Sequence, residues 1–378
     1  MQSQKALPRI VPVFLLFCVA LCLGGCGKFF VPQTNPTPPS GSGNYLYVAN
    51  ATNQTVTGFS IGTTNLSNTS NSPYTLGVAP SAMTVTPSGS YIYAASLAGA
   101  IYGYSVNSNG SLTLLGSGNA LVTGISPVAL RVDPSGQWLI AVDSSPAAYV
   151  FSIDTSTGLL TQQGSALGLD AGSPNRIVIT PNNNLVYISL GTGGVDICTF
   201  SVSSGVLNKT NQILKPKATA NADQGLAVDP AGKYLFVAET GANAVRVLSI
   251  ATSGALTEVT GSPFKTGLGP TGVLVDSTGS YVYATNRTDG TVSAFTLATT
   301  TGSLTAISGS PFSTGINPVD LTEDTSDTYL GVACAGGTPD LQVFTIGSAT
   351  GTTPGALTSF ATNGGSSASG AFAIVAAD

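Results

Sequence analysis

Ser262-Pro-Phe-Lys265 has the spacing of a serine nucleophile with a lysine base three residues on. One period later the same position reads Ser310-Pro-Phe-Ser313, without the lysine. A motif that repeats without its base is structural, and the pair carries no catalytic reading. No Gly-x-Ser-x-Gly elbow is present. Histidine is absent from all 378 residues, which removes the commonest general base and the commonest metal ligand together. No Asp-x-Asn/Asp-x-Asp-Gly calcium loop occurs, and Asn286-Arg-Thr-Asp-Gly290 reads as a tight loop between strands. No metal or cofactor is expected.

What remains for chemistry is a sparse set of charges. Only 8% of the residues are charged, against about a quarter in ordinary soluble domains. The net charge is −5 and no Lys/Arg cluster exists, so a nucleic-acid partner is not expected. In so poorly charged a chain, an arginine is the best anchor for a carboxylate or a sugar phosphate. The candidates are Arg176, Glu239, Asp320, Arg287, Asn175 and Gln224, with Arg131 placed deeper. Asp133, Asp229, Asp276 and Asp324 each precede a turn and read as turn caps.

The elements that must position these residues come from a repeat. SAMTVTPSGSYIYAAS (81–96), VALRVDPSGQWLIAVD (128–143), NRIVITPNNNLVYISL (175–190), QGLAVDPAGKYLFVAE (224–239), TGVLVDSTGSYVYATN (271–286) and VDLTEDTSDTYLGVAC (319–334) recur every 47–49 residues. A period of that size signals a solenoid, a propeller or an array. Each unit holds four short segments rich in Val, Ile, Tyr and Phe, joined by Gly, Pro and Ser turns, and no helical periodicity. Segments such as AVRVLSI are apolar on both faces, which fits sheets stacked between neighbours. Four-stranded units of this length are propeller blades. Residues 45–80 lack a first strand, and AFAIVAAD (371–378) matches first strands and nothing else. The first blade is therefore assembled from both ends of the chain. That predicts an all-β, seven-bladed propeller of four-stranded blades over 45–378, expected to be monomeric. Phe372, Ile374 and Val375 should be buried at the closure. Cys198 and Cys334 fall in blades four and seven, too far apart to pair, and read as inert buried thiols.

YVYATN (281–286) and YLYVAN (45–50) resemble the YVTN type of propeller repeat. The blade pattern is Pro, five or six residues, then Pro-Ser-Gly-x-Tyr, a Gly-x-Leu-Thr turn and Gly-Ser-Pro-Phe (261–264 and 309–312). It is similar to the lactonase-family seven-bladed propellers, which include bacterial 6-phosphogluconolactonases and carboxymuconate cyclases. The resemblance covers 42–378 and implies a ring with its site at the channel. Catalytic members carry histidine near the start of inner strands. The corresponding positions here are Ala82, Ala129, Arg176, Gly225, Gly272, Asp320 and Ala373. A lactone-opening activity would need Arg and Glu instead.

The N-terminus reads as a targeting segment. Lys5 and Arg9 precede an apolar run, Ile10 to Leu23, which ends in Leu23-Gly-Gly-Cys26. This resembles the bacterial lipoprotein lipobox, in which the cysteine is acylated after cleavage. The expected organisation is a signal peptide (1–25), then Cys26 and a Pro/Gly/Ser-rich tether (26–44), then the propeller. Cleavage would leave ten cationic residues against seventeen acidic ones, a net −7. The first expectation for function is a lipid-anchored propeller of the bacterial cell envelope, periplasmic or surface-facing. It would bind a small carboxylate, a sugar or a protein partner at the face carrying the fourth-to-first and second-to-third loops. The tether joins the ring at a Pro-Ser-Gly-type turn, so that loop face would point away from the membrane. The alternatives are a lactonase-like hydrolase without histidine and a purely structural surface protein.

Overall fold

A computed structural model describes residues 43–217, 222–363 and 369–378. Cys26, the signal peptide and most of the tether lie outside the described residues. Seven antiparallel sheets surround a channel. In blade 5 the strands run outward from the channel as Asp223–Val228, Tyr234–Glu239, Ala244–Ile250 and Leu256–Glu258. The other blades repeat this order.

The ring closes as the sequence requires. Ala371–Ala377 pairs antiparallel with Tyr45–Asn50, with Tyr47 opposite Val375 and Val48 opposite Ile374. Ile374 and Val375 are buried, but Phe372 is 37% exposed, which corrects the expectation for that side chain. The cause is a bulge: Ala371 faces Asn50 and Ala373 faces Ala49, so Phe372 is the unpaired extra residue and turns outward. The same shift follows the opening residue of five other inner strands, as between Pro80 and Ala82 or Pro318 and Asp320. Proline is tolerated there because an inner edge strand needs no N–H on its free side.

Repeated side chains hold the blades together. The third residue of the second strand is a fully buried tyrosine in four blades. Tyr47, Tyr93 and Tyr283 donate to the carbonyls of Gly110, Gly158 and Gly355 on the next blade, at 2.7, 2.9 and 2.9 Å, and Tyr187 reaches Gly254 at 3.5 Å. These glycines have positive φ, and a Cβ at Gly110 would strike the Tyr45 ring at 2.3 Å. Only glycine permits the close stacking of one blade on the next.

The recurring aspartates are turn caps. Asp133 accepts from the backbone N–H groups of Gln137 and Trp138 at 2.9 and 2.8 Å. Asp229, Asp276 and Asp324 repeat this geometry on Tyr234, Tyr281 and Tyr329. The Ser-Pro motif is structural as well. In blades 1, 2, 5 and 6 the outer strand breaks into two pieces, and the motif occurs in the first, fifth and sixth. Ser72, Ser262 and Ser310 accept the third-strand N–H groups left in the gap, from Gly58, Val247 and Ala294, at 3.0, 3.0 and 2.8 Å. Cys198 and Cys334 are unpaired and buried, and burial pushes their thiols up to about 12 and about 11. At those values neither is a thiolate near neutral pH.

Candidate functional site

The innermost strands enclose a cavity of about 780 Å³. Arg176 and Asp320 occupy equivalent positions on blades 4 and 7, opposite Ser189 and Ala333 on their second strands. Ala82, Ala129, Gly272 and Ala373 fill the same level elsewhere and leave room for a long side chain to cross. Arg176 does cross. Its Nη2 lies 3.7 Å from Asp320 Oδ1 and donates to the Val319 carbonyl at 3.4 Å. Asp320 Oδ2 accepts from the Ile374 N–H at 3.1 Å. The pair ties three blades together and spans the upper channel.

Arg131 lies two residues farther down its strand, opposite Ile140, and lines the same cavity. Among the described residues its guanidinium has no hydrogen-bond or ion-pair partner. Burial holds the Asp320 carboxyl above its ordinary range, with Arg176, backbone N–H groups and Arg131 acting the other way. The surrounding inner strands lower the Arg131 guanidinium, opposed by Asp320, but the side chain is exposed to the channel and its donors are open to water, so the lowering is small. Arg176 and Asp320 share the upper level and Arg131 starts two residues below them, in register with Thr322; among the described residues most of the guanidinium N–H donors have no protein partner.

The lower end departs from expectation. Exposed prolines of the inter-strand turns, Pro87, Pro134, Pro181 and Pro230, line the cavity there. At the loop end, Pro80, Pro127, Pro270 and Pro318 are buried and stand outside the lining. The lining thus reaches the Pro-Ser-Gly turn face and, toward the loop face, extends to the level of Arg176 and Asp320. At that level the Arg176–Asp320 pair reaches across the channel.

Glu323 stands near this mouth and accepts from the Ser277 N–H at 2.6 Å. Burial, then the neighbouring Asp276, Asp327 and Asp324, push its carboxyl up to about 7. An acid whose pKa is raised in the fold stabilises fully below its unfolded value near 4.5, and that contribution is lost as pH rises through 7. The wild type should lose on the order of 2 kcal/mol of stability between those limits. In Glu323→Gln, urea midpoints across pH 4.5–7.5 should lose most of this slope. An unchanged slope would place the titration elsewhere.

The other candidates do not join this group. Glu239 is fully buried and does not line the channel cavity. It faces Arg246, whose Nη1 is 3.5 Å from Glu239 Oε1 and donates to the Lys215 carbonyl at 2.9 Å. Arg246 Nε is 3.4 Å from Glu258 Oε2, and Lys217 Nζ is 2.5 Å from Glu258 Oε1. Among the described residues neither Glu239 oxygen meets hydrogen-bond geometry, and burial raises its pKa, with Arg246 and then Lys217 opposing. Glu239 is therefore corrected from a face residue to part of a buried charge network. Arg287 is exposed, and Asn175 donates to Ser173 at 3.0 Å. Gln224 offers its backbone carbonyl to Ser189. None of the three lines the cavity. Arg246, Lys217, Glu258 and Glu323 escaped sequence reading. The one signal for Arg246 was a charge inside the apolar AVRVLSI.

The family model described as Lactonase, 7-bladed beta-propeller matches residues 33–173, 149–273 and 177–364. No curated protein sequence matches the chain. Among solved structures, a Bacteroides fragilis protein with the provisional description 6-phosphogluconolactonase aligns at 20% identity. It covers 92% of this chain and 100% of its own, with a TM-score of 0.73. The Pseudomonas aeruginosa periplasmic gluconolactonase aligns at 14% identity over 89% and 99% of the two chains, with a TM-score of 0.70. A functionally unknown protein of Desulfotomaculum acetoxidans gives 18%, 88%, 99% and 0.67. At these identities the likeness is one of fold.

Proposed function

Because the chain belongs to the lactonase family of seven-bladed β-propellers, we propose that it binds a small anionic ligand in its channel, with Arg131 and Arg176 as the receptor. One observation carries the reading: Arg131 lines the cavity with no partner among the described residues, beside an Arg176–Asp320 contact too long for a hydrogen bond. A carboxylate seated between the guanidiniums would complete both. Calorimetry on the 45–378 region within the full mature chain, with gluconate, 6-phosphogluconate and octanoate as probes, tests this. Arg131→Ala and Arg176→Ala should each weaken whichever probe binds by about tenfold or more. Binding that survives both substitutions would refute it.

The raised carboxyl of Asp320 favours a second reading, hydrolysis of a lactone. Asp320 would take a proton from the water attacking the lactone carbonyl while a guanidinium faces the developing oxyanion, and on collapse the ring acyl C–O bond would break as Asp320 returns the proton to the departing alkoxide. The gluconolactonase neighbour supports the reaction class. Turnover of gluconolactone that is lost in Asp320→Asn, while gluconate still binds, is the expected result for this reading. Absence of turnover in the wild type would leave the binding role alone.

We further propose that the chain is a lipid-anchored protein of the cell envelope, acylated at Cys26. The apolar run ending at that cysteine supports this. Gly43, where the described chain begins, lies directly before Asn44, which donates to the capping Asp324 of blade 7. The tether would therefore leave from the turn face, the face that the cavity lining reaches. Cys26→Ser should move the protein from the membrane fraction to the soluble fraction without changing its melting temperature. Retention after a high-salt wash would remove the proposal.

A further inference from the structure

A second group of charges lies outside the channel, on the loop side of blade 4. The segment that joins blades 3 and 4 passes over it and leads directly into Arg176. That segment, residues 169–175, is tied at both ends by backbone hydrogen bonds. The Leu169 N–H donates to the Pro146 carbonyl at 3.0 Å, and the Ser173 and Asn175 N–H groups donate to the Leu190 and Ser189 carbonyls at 2.9 and 3.0 Å. Between these ties the backbone of residues 170–172 makes a single hydrogen bond among the described residues. The Asp170 N–H donates to Asp196 Oδ2 at 2.9 Å. The middle of the connector hangs on one carboxyl group.

Asp196 belongs to the third strand of blade 4, Val195–Ser201, and is fully buried. Its Oδ1 has no hydrogen-bond partner among the described residues. Few ionisable groups face it. Asp170 lies beside it on the connector, and Lys209 on the outer strand Val206–Leu214 holds Asp170 Oδ1 at 2.5 Å. Cys198 follows two residues on, along the same face of the strand. Lys215, beyond the outer strand, acts on Asp170. The blade 3 strands packed on this face, Ala147–Ile153 and Leu160–Gly168, hold no acid or base. Tyr149 and Tyr187 turn to the cores on the far sides of the two blades. Two carboxyls therefore face Lys209, and only Asp170 is open to water, with its side chain 44% exposed.

Burial holds the Asp196 carboxyl above its ordinary range, and the Asp170 carboxyl adds to the rise while the Asp170 N–H and Lys209 oppose it. The hydrogen bond from Lys209 holds Asp170 below its ordinary range. An acid raised in the fold stabilises fully below its unfolded value near 3.8, and that contribution is lost as pH climbs through the folded value. We propose that Asp196 and Asp170 form a pH-sensitive latch on the segment leading into Arg176, closed while Asp196 is neutral and loosened when it ionises. Ionisation sets two like charges side by side, and Asp196 gains water only if residues 170–172 lift. The two ends of the segment stay tied, so the opening is local and blade 4 keeps its fold. The latch does not depend on any ligand in the channel.

Native-state hydrogen exchange on the full mature chain tests this, read at the amides of residues 170–172 and corrected for the intrinsic exchange rate at each pH. In the wild type, protection there should fall by about tenfold or more between pH 4 and pH 8, while protection of Val195–Ser201 stays constant. Asp196→Asn keeps the shape and the acceptor but cannot ionise, and its protection should vary by less than about threefold over the same range. Lys209→Met removes a cation that opposes the rise of Asp196, so its fall in protection should come at higher pH. A flat wild-type profile, or an Asp196→Asn profile with the wild-type slope, would overturn the latch. An equal fall across the whole of blade 4 would overturn it as well, because the loosening would then be that of the blade and not of the connector.

Discussion

Deleting residues 371–378 should abolish cooperative folding. The last strand supplies the inner strand of blade 1 and is hydrogen-bonded along Tyr45–Asn50. Its loss exposes that edge and unburies Ile374 and Val375 at roughly 1.5–3 kcal/mol each. It also removes the backbone N–H that Asp320 accepts and the wall shared by blades 7 and 1. Together these losses approach the whole stability of a typical domain, about 5–15 kcal/mol. The expected thermogram of the truncated chain has no cooperative peak, and the protein should aggregate through the open edge. Added as a peptide, residues 369–378 should partly restore the transition. A truncated chain melting within a few degrees of wild type would show that the ring is stable without this closure.

Arg246→Ala should be the most destabilising single substitution outside the strand cores. Glu239 is fully buried, among the described residues neither of its oxygens meets hydrogen-bond geometry, and Arg246 is its ion-pair partner, with Lys217 beyond ion-pair distance. Removing one partner of a buried pair leaves an uncompensated charge and costs about 3–5 kcal/mol. For a chain of this size that is a fall of roughly 5–10 °C in Tm. The loss should grow with pH, because Glu239, already raised by burial, must ionise with only Lys217 left to oppose that burial. The double variant Glu239→Gln/Arg246→Met should recover most of the loss, since paired polar groups can be replaced together at little cost. Channel binding should survive in both, because neither residue lines the cavity. A change of less than 1 °C in Arg246→Ala would mean that the charge is compensated in another way.

The fold was legible because its signals are local and repeated. Val, Ile and Tyr segments at a fixed period, Pro-Ser-Gly turns and capping aspartates each act within a few residues, and every copy reinforces the others. The closing strand was legible for the same reason: one copy lacked an element and AFAIVAAD had no other place. The buried network was illegible because Glu239, Arg246 and Glu258 sit on three neighbouring strands of blade 5 and Lys217 on the segment leading into it, and their meeting depends on the pairing register and on which way each side chain turns.

The sequence by itself determined seven four-stranded blades, the closure from both ends, and the levels of Arg176, Asp320 and Arg131 on their inner strands. Those follow from strand period and register, which count residues. Tertiary structure alone decided that Arg176 crosses the ring to Asp320, because blades 4 and 7 become neighbours only across a channel. It also decided that Phe372 turns outward at a bulge and that Glu239 is buried. It decided that the cavity lining reaches the turn face. No residue count predicts where a cavity lies along a ring; that depends on which inner-strand side chains reach the axis, and here the lining runs from the Arg176–Asp320 level to the prolines of the turn face.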